Sequence, residues 1–114
     1  GPQRLSRASG QVLKPGMILS NEPGFYKEDA FGIRIENLIV VREAARLPSQ
    51  TVPDMLTFQT LTWVPIDRNL IDLDLLSAQE RAWLNIYHQT CYDQVAAGLS
   101  PAAQHWMQAA CAEI

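Results

Sequence analysis

The sequence predicts an α+β fold in which antiparallel β-strands are followed by two C-terminal helices. Up to about residue 71, short runs of β-branched and aliphatic residues alternate with turn signals. From about residue 72, capping signals precede apolar residues that recur at helical spacing. Strands and helices that are segregated along a chain are typical of α+β proteins. The same change in character places a domain boundary between residues 71 and 72.

Three strands are predicted before that boundary. The first runs from Met17 toward Asn21 and is interrupted at Pro23-Gly24, where we expect a bulge or a strand end. The second, residues 32–41, has the strongest signal because nearly all of its later residues are β-branched or aliphatic. The third, residues 56–64, alternates threonine with large apolar residues.

Two helices are predicted after the boundary. Ser77-Ala78-Gln79-Glu80 is a capping box that begins the first helix, which we end before Gly98. Ser100-Pro101 begins the second helix, which runs to about Ala112. Apolar residues at helical spacing predict a core-facing stripe on the first helix, formed by Ala82, Trp83, Ile86, Tyr87 and, further along, Thr90 and Cys91.

The composition limits the classes of function. A chain of 114 residues with 47% hydrophobic residues is typical of one globular domain. The net charge of −3 and the lack of a basic stripe with interleaved aromatics argue against a nucleic-acid partner. No apolar run approaches the roughly 18 residues of a membrane span, and we expect no signal peptide before the fold.

The two cysteines match neither a disulfide framework nor a zinc site. Cys91 and Cys111 are far apart in the sequence and form no CxxC motif. Both fall in predicted helices, so we expect buried free thiols. Free thiols fit a reducing location such as the cytoplasm.

Two glutamates lie in segments that otherwise predict strands. Glu22 and Glu36 are separated by an even number of residues, so in a hairpin centred on Asp29 they lie opposite each other on one face. Like charges across a ladder repel, so either one glutamate is protonated or a cation lies between them. A divalent cation such as Mn²⁺, alone or as a two-metal cluster, suits paired carboxylates. Alternatively, one glutamate lies in water at a strand end, beside Arg34 or Lys27.

The segment LKPGMILSNEPGFYKEDAFGIRIEN resembles the Xaa-Pro aminopeptidases (aminopeptidase P), which are pita-bread metallopeptidases of family M24. The tail LTFQTLTWVPIDRNLIDLDLLSAQERAWLNIYHQTC is similar to the C-terminal extension of the larger, three-domain aminopeptidase P proteins. The resemblance implies that residues 1–71 are the C-terminal part of a pita-bread (creatinase/aminopeptidase) catalytic domain. Residues 72–114 would then be a helical extension that buttresses this domain or helps it to dimerise.

The resemblance also implies roles for individual residues. Glu36 would bridge two Mn²⁺ ions, and Glu22 would bind one of them and act as general base toward the attacking water. Tyr26 and Arg34 match residues that support the metal site, where an arginine offsets the negative charge of the carboxylates. The alternative for Arg34 is a surface residue paired with Glu28 or with its neighbour Asp29. The glycines at 24 and 32 would serve backbone geometry.

The chain departs from the family because the resemblance accounts for only two of the family's five metal ligands. The other three, two aspartates and a histidine, lie upstream in the family, as does an auxiliary histidine before the Gly-Pro that begins this chain. Gly1-Pro2 is then either native sequence or a cloning remnant. His88 and His105 are not expected to replace the missing ligands, and we predict helix-surface or packing roles for them.

We therefore expect a C-terminal fragment of an Xaa-Pro aminopeptidase that is inactive alone. Its implied partners are the upstream half of the same polypeptide, a peptide substrate with proline second, and a second copy of the complete protein. Trp63, Trp83 and Trp106 are expected in the core or at a domain interface, or else on the homodimer surface. A prolidase-like dipeptidase and a non-catalytic pita-bread binding module are the alternatives. Open strand edges predict self-association of the isolated chain, which sedimentation would reveal.

Overall fold

The structure, a computed structural model, describes residues 10–49, 51 and 53–114. The chain forms two compact units, one ending at Thr62 and one beginning at Trp63. Antiparallel strands form the first unit and helices the second, which confirms the predicted α+β class. These units reflect contacts within this chain, whereas the predicted boundary between residues 71 and 72 concerns the complete fold and stays a prediction. Gly1-Pro2 lies outside the described residues.

The strands of the first unit form two antiparallel sheets. The larger has three strands in the order β1–β4–β5, so that β4 is central, and the smaller pairs β2 with β3. In chain order the strands are β1 Ile18–Asn21, β2 Gly24–Lys27, β3 Phe31–Arg34, β4 Asn37–Glu43 and β5 Leu56–Thr60.

The single strand predicted for residues 32–41 is wrong, because the chain breaks it into β3 and β4. The residue opposite the break explains this. Ile35 donates its backbone N–H to the carbonyl of Pro23 at 3.1 Å. Proline has no N–H and cannot return a hydrogen bond, so the ladder is interrupted at that point. The chain then continues into a different sheet on each side of the interruption.

The third predicted strand, residues 56–64, ends earlier than expected, at Thr60. Beyond it, one further backbone hydrogen bond runs from the Leu61 N–H to the Leu38 carbonyl at 2.8 Å, and side chains then take over. The backbone N–H of Leu38 donates to the hydroxyl of Thr62 at 2.9 Å, and the Asn37 amide donates to the Thr62 carbonyl at 3.0 Å. The backbone groups at this end of β4 are therefore satisfied without an extended partner strand.

The two arms that carry β1–β2 and β3–β4 fold back on each other around Asp29, as predicted. Asn21 pairs with Asn37 in the larger sheet, and Gly24 pairs with Arg34 in the smaller one, so one register runs through both. Asp29 has φ +54°, a left-handed conformation that aspartate tolerates better than most residues. This turn therefore sets which residues of the two arms face each other.

The core of the first unit lies on the central strand. Ile39 and Val41 of β4 are buried together with Leu19 of β1, and Leu13 and Met17 pack against them. Each fully buried side chain of this kind contributes about 1.5–3 kcal/mol relative to an exposed one. β1 and β4 are therefore held firmly next to each other.

The second unit contains two helices that are joined by one short 3₁₀ segment and preceded by two others. Helix α1 spans Ala78–Val95 and helix α2 spans Pro101–Ala110. The predicted capping box is confirmed, since the Ser77 backbone N–H and hydroxyl both donate to Glu80, whose own N–H donates to the hydroxyl. These hydrogen bonds lower the pKa of Glu80. The 3₁₀ segments are Arg68–Leu70, Leu73–Leu75 and Ala96–Gly98.

The stripe predicted to face the core is partly wrong. Trp83 and Ile86 are 57% and 67% exposed, and Ala82 is exposed as well. The buried face of α1 is rotated relative to the predicted stripe and follows i, i+3, i+4 and i+7 spacing. Its residues are Leu84, Tyr87, His88 and Cys91, and the cluster around Tyr87 and Cys91 includes Met107 and Cys111.

The three tryptophans differ in their surroundings. Trp63 packs against the core with its ring 5.6 Å from that of Tyr87, as expected of a core anchor. Trp83 also stacks on Tyr87, with ring centres 5.4 Å apart, but it is 57% exposed, and Trp106 is 63% exposed. A core position within this chain is therefore wrong for Trp83 and Trp106, and their place in an interface stays a prediction.

Both cysteines are buried free thiols, as predicted. Burial raises the pKa of Cys91 and of Cys111, so both remain protonated at neutral pH. Among the described residues, no helix combines the length and the apolar character that crossing a membrane requires.

The two histidines have the packing and surface positions that the sequence predicts. His105 is exposed on α2, whereas His88 is fully buried. The Nε2 atom of His88 accepts a hydrogen bond from the Ile66 backbone N–H at 3.1 Å, so the proton of the neutral ring lies on Nδ1. Burial, and next the charge of Arg68, lower the pKa of His88. Protonation of His88 would break the bond to Ile66.

This environment predicts a pH-dependent stability of the second unit. His88 has a folded-state pKa below the unfolded value of about 6.5, so the unfolded chain binds more protons between those two pH values. The stabilisation is present above about pH 6.5 and is lost as the pH falls toward the folded-state pKa. Thermal unfolding between pH 5 and 8 should show this loss, and His88→Gln should flatten it. His105→Gln is the matched control, and an equal flattening in that variant would contradict the assignment.

Candidate metal centre

Glu22 and Glu36 lie in the two interruptions between the sheets. Glu22 follows β1 and Glu36 precedes β4. The pair Asn21 and Asn37 flanks them on one side, and the hydrogen bond from Ile35 to Pro23 flanks them on the other. The register therefore places Glu36 across from Glu22, at positions where neither backbone is part of a regular ladder.

The carboxylate of Glu22 is held at both oxygens. The Ser20 hydroxyl donates to Oε1 at 2.9 Å, and Arg34 Nη1 donates to Oε2 at 3.0 Å. The hydrogen bond from Ser20, and next that from Arg34, lower the pKa of Glu22, and the same contact with Glu22 raises the pKa of Arg34. Glu22 is therefore ionised at neutral pH, so protonation does not relieve repulsion at this member of the pair.

The cation beside Glu22 is the guanidinium of Arg34. The alternative pairing of Arg34 with Glu28 or Asp29 is not the one that the structure has. Both side chains of the Glu22–Arg34 ion pair are substantially exposed, at 41% and 53%. The alternative interpretation of the two glutamates was that one of them lies in water at a strand end beside an arginine or lysine. Glu22 has this environment, with Arg34 as its neighbour. A surface pair of this kind contributes little to stability, so its value lies in orienting the carboxylate.

Tyr26 and two glycines position Arg34. The Arg34 guanidinium carbon lies 5.9 Å from the centre of the Tyr26 ring, within cation–π range. A Cβ at Gly32 would lie 2.8 Å from Cδ1 of that ring, and a Cβ at Gly24 would lie 2.8 Å from its hydroxyl oxygen. The sequence predicted a role in backbone geometry for these glycines. The structure shows in addition that each leaves space for the Tyr26 side chain, which crosses the hairpin.

The donor chemistry of this site fits a hard divalent cation, but the number of donors does not complete a site. Carboxylate oxygens suit Mg²⁺, Ca²⁺ and Mn²⁺. Within the part of the chain that the structure describes, no three His, Cys, Asp or Glu side chains come together as a metal site. Two glutamates on this chain would have to be joined by ligands from elsewhere.

The other candidate residues belong to a different unit from this pair. His88 and His105 both belong to the second unit. Two grooves of about 740 and 550 Å³ also lie there, and neither is lined by Glu22 or Glu36. Ser20 is the contact that sequence reasoning missed. The available signal was its spacing, because a residue two positions before Glu22 in a strand points to the same face.

Comparisons with known proteins agree for both parts of the chain. Residues 1–43 match the family described as "Metallopeptidase family M24", and residues 54–114 match the "C-terminal region of peptidase_M24". The chain is 43% identical over 110 residues to "Aminopeptidase P2" of Arabidopsis thaliana, with 94% of this chain and 16% of the relative covered. It is 38% identical over 112 residues to "Aminopeptidase P1" of Lotus japonicus, with 96% and 17% covered.

A solved structure with a similar fold is described as an X-prolyl aminopeptidase from Caenorhabditis elegans, "a cytosolic enzyme with a di-nuclear active site". Its TM-score to this chain is 0.77 and the identity is 35%, with 96% of this chain and 18% of that protein covered. The chain thus spans less than a fifth of the length of each of these relatives.

The contact between Tyr26 and Gly32 predicts the effect of adding one methyl group. Gly32→Ala should force the Tyr26 ring out of its position, at a cost of about 0.5–1.5 kcal/mol in unfolding free energy. Urea unfolding would measure this cost, and Gly10→Ala is the control because a Cβ there meets no atom within 4 Å. In a Tyr26→Ala background the cost of Gly32→Ala should largely disappear. A cost that persists in that background would mean that the ring is not the cause.

Proposed function

Because the chain belongs to metallopeptidase family M24, we propose that it is the C-terminal part of an Xaa-Pro aminopeptidase. The complete protein would remove the first residue of peptides that have proline second. The observation that carries the proposal is the register that places Glu22 across from Glu36 with Arg34 on Glu22. The relatives named aminopeptidase P and the worm structure named X-prolyl aminopeptidase support the substrate class.

The proposed cofactor is a pair of Mn²⁺ ions. Glu36 would bridge the two ions and Glu22 would bind one, while the upstream half of the polypeptide supplies the remaining ligands. The di-nuclear active site of the worm enzyme supports two metal ions, and the oxygen donors on this chain suit manganese. When bound, such ions act as Lewis acids that lower the pKa of water and polarise the scissile carbonyl.

Glu22 is proposed to act both as a ligand and as the general base. Its lowered pKa keeps it ionised at neutral pH, as both roles require. The two carboxylate oxygens differ, because the positive charge of Arg34 disfavours a proton on Oε2. Oε1 accepts its hydrogen bond from Ser20, which is neutral. Oε1 is therefore the better proton acceptor.

Arg34 and Tyr26 support this carboxylate without touching the reacting atoms. Arg34 offsets part of the negative charge that two glutamates bring to one site, and it fixes one oxygen of Glu22. The Tyr26 ring lies beside the guanidinium and restricts where it can go. We assign Tyr26 and Arg34 to the catalytic site in this supporting sense.

The remaining features of the complete protein follow from the same assignment. Residues 72–114 are proposed as a helical extension that buttresses the catalytic domain or helps it to dimerise. The exposed Trp83 and Trp106 offer apolar contact area for either role. A cytoplasmic location is proposed because the worm relative is described as cytosolic and because both cysteines here are free thiols.

Replacement of each glutamate in the complete protein tests this function. Glu22→Gln and Glu36→Gln should each lower the Mn²⁺ content. Each should also lower kcat/KM by more than the roughly 10–100-fold that is typical of residues that only support a ligand. Metal analysis and cleavage of Xaa-Pro peptides of several lengths would measure both effects. Glu28→Gln, which changes an exposed carboxylate in the hairpin turn, is the matched control.

Three results would contradict the proposal in different ways. Unchanged Mn²⁺ content in both variants would remove the glutamates from the metal site. A complete protein that binds no metal and cleaves no peptide would indicate a non-catalytic binding module. Cleavage restricted to dipeptides would indicate a prolidase-like enzyme.

A further inference from the structure

Ser20 lies in a paired strand, whereas the glutamate that it contacts lies outside the strands. Ser20 lies within β1 and pairs with Leu38 of β4, next to the buried residues of the central strand. Its neighbour Leu19 points into the core and is 5% exposed, so the Ser20 side chain points away from the core. Glu22, by contrast, lies beyond the end of β1, where the ladder is interrupted.

The two hydrogen bonds to Glu22 come from different sheets. Ser20 holds Oε1 from the three-stranded sheet at 2.9 Å, and Arg34 holds Oε2 from the two-stranded hairpin at 3.0 Å. A carboxylate that is bonded at only one oxygen can still rotate about its terminal torsion. Bonds at both oxygens, from two separate elements, restrict that rotation and define the plane of the carboxylate.

These two hydrogen bonds leave lone pairs of the Glu22 carboxylate available to a metal ion. Each oxygen of an ionised carboxylate has two lone-pair positions, and the two hydrogen bonds occupy one position on each oxygen. A free position therefore remains on each oxygen. Ser20 orients the carboxylate without adding charge. Arg34 orients it and also adds a positive charge, so the two residues are not equivalent.

We infer that Ser20 is a positioning residue that orients the Glu22 carboxylate for a divalent cation. The inference rests on the proposed function, in which Glu22 is a metal ligand. Hydrogen bonds to a ligating carboxylate typically change metal affinity or activity by about 10–100-fold. We expect the lower end of this range for Ser20, because it is exposed and water can take over part of its role.

The test is a Mn²⁺ titration of the complete protein and its variants by calorimetry. Ser20→Ala should raise the Mn²⁺ dissociation constant about ten-fold. Ser20→Thr keeps the hydroxyl and suits a strand, so it should restore binding to within about two-fold. Thr57→Ala is the matched control, because it removes an exposed hydroxyl from β5, which β4 separates from β1. The melting temperature of each metal-free variant shows whether a change is merely structural.

A second readout is the kinetics at saturating Mn²⁺. If Ser20 orients the base, Ser20→Ala should lower kcat while leaving the KM for the peptide within about two-fold. Restoration by Ser20→Thr of both kcat and metal affinity, with melting temperatures unchanged, would support the inference.

Glu22→Gln, measured in the same series, separates failure of this inference from failure of the proposed function. If Glu22→Gln loses Mn²⁺ affinity but Ser20→Ala behaves like Thr57→Ala, Ser20 is not a positioning residue and the proposed function stands. If Glu22→Gln keeps full affinity, both the ligand assignment and the role of Ser20 are overturned. A loss in Ser20→Ala that Ser20→Thr does not restore also overturns the role, because the hydroxyl is then not its cause.

Discussion

The candidate site depends on the backbone register of two chain segments that fold back around Asp29. That register pairs Asn21 with Asn37 and Gly24 with Arg34, on either side of the interruption that contains the two glutamates. A shift by one residue would move every side chain of one segment to the opposite face. The left-handed turn at Asp29 and the buried strand β4 hold the register from its two ends.

The interruption is as important as the register. In a continuous ladder, the glutamates would form a directly opposed pair on a flat sheet, where like charges repel. Pro23 ends the ladder at this point because it cannot donate a backbone hydrogen bond. The chain can then pass from one sheet to the other, and the hairpin brings Arg34 to a carboxylate that the larger sheet carries.

Within the hairpin, small and large residues fit each other. The glycines at 24 and 32 allow the Tyr26 ring to cross the strands, and that ring lies beside the guanidinium that binds Glu22. The second unit uses a different principle, because a capping box and a buried face of α1 organise it around Tyr87 and Cys91. The two units therefore have separate cores, and the metal-site candidates belong to the first alone.

Local signals in the sequence determined much of this molecule. The placement of strands before helices, the turn at Asp29, the capping box at Ser77 and the shared parity of Glu22 and Glu36 could all be predicted. These features depend on residues close together in the chain, through backbone periodicity, caps and the missing N–H of proline. The family motifs around both glutamates are likewise contiguous, so the resemblance could be recognised without a structure.

Only the tertiary structure decided which residues meet across larger separations. It split residues 32–41 between two sheets, gave Arg34 to Glu22 and not to Glu28, and brought Ser20 to the second carboxylate oxygen. It also buried Leu84 and His88 of α1 where the sequence predicted Trp83 and Ile86. Periodicity shows that a helix has an apolar side, but aromatic residues can lie at the edge of that side. Which residues are covered depends on the partner surface, and the local sequence does not contain that information.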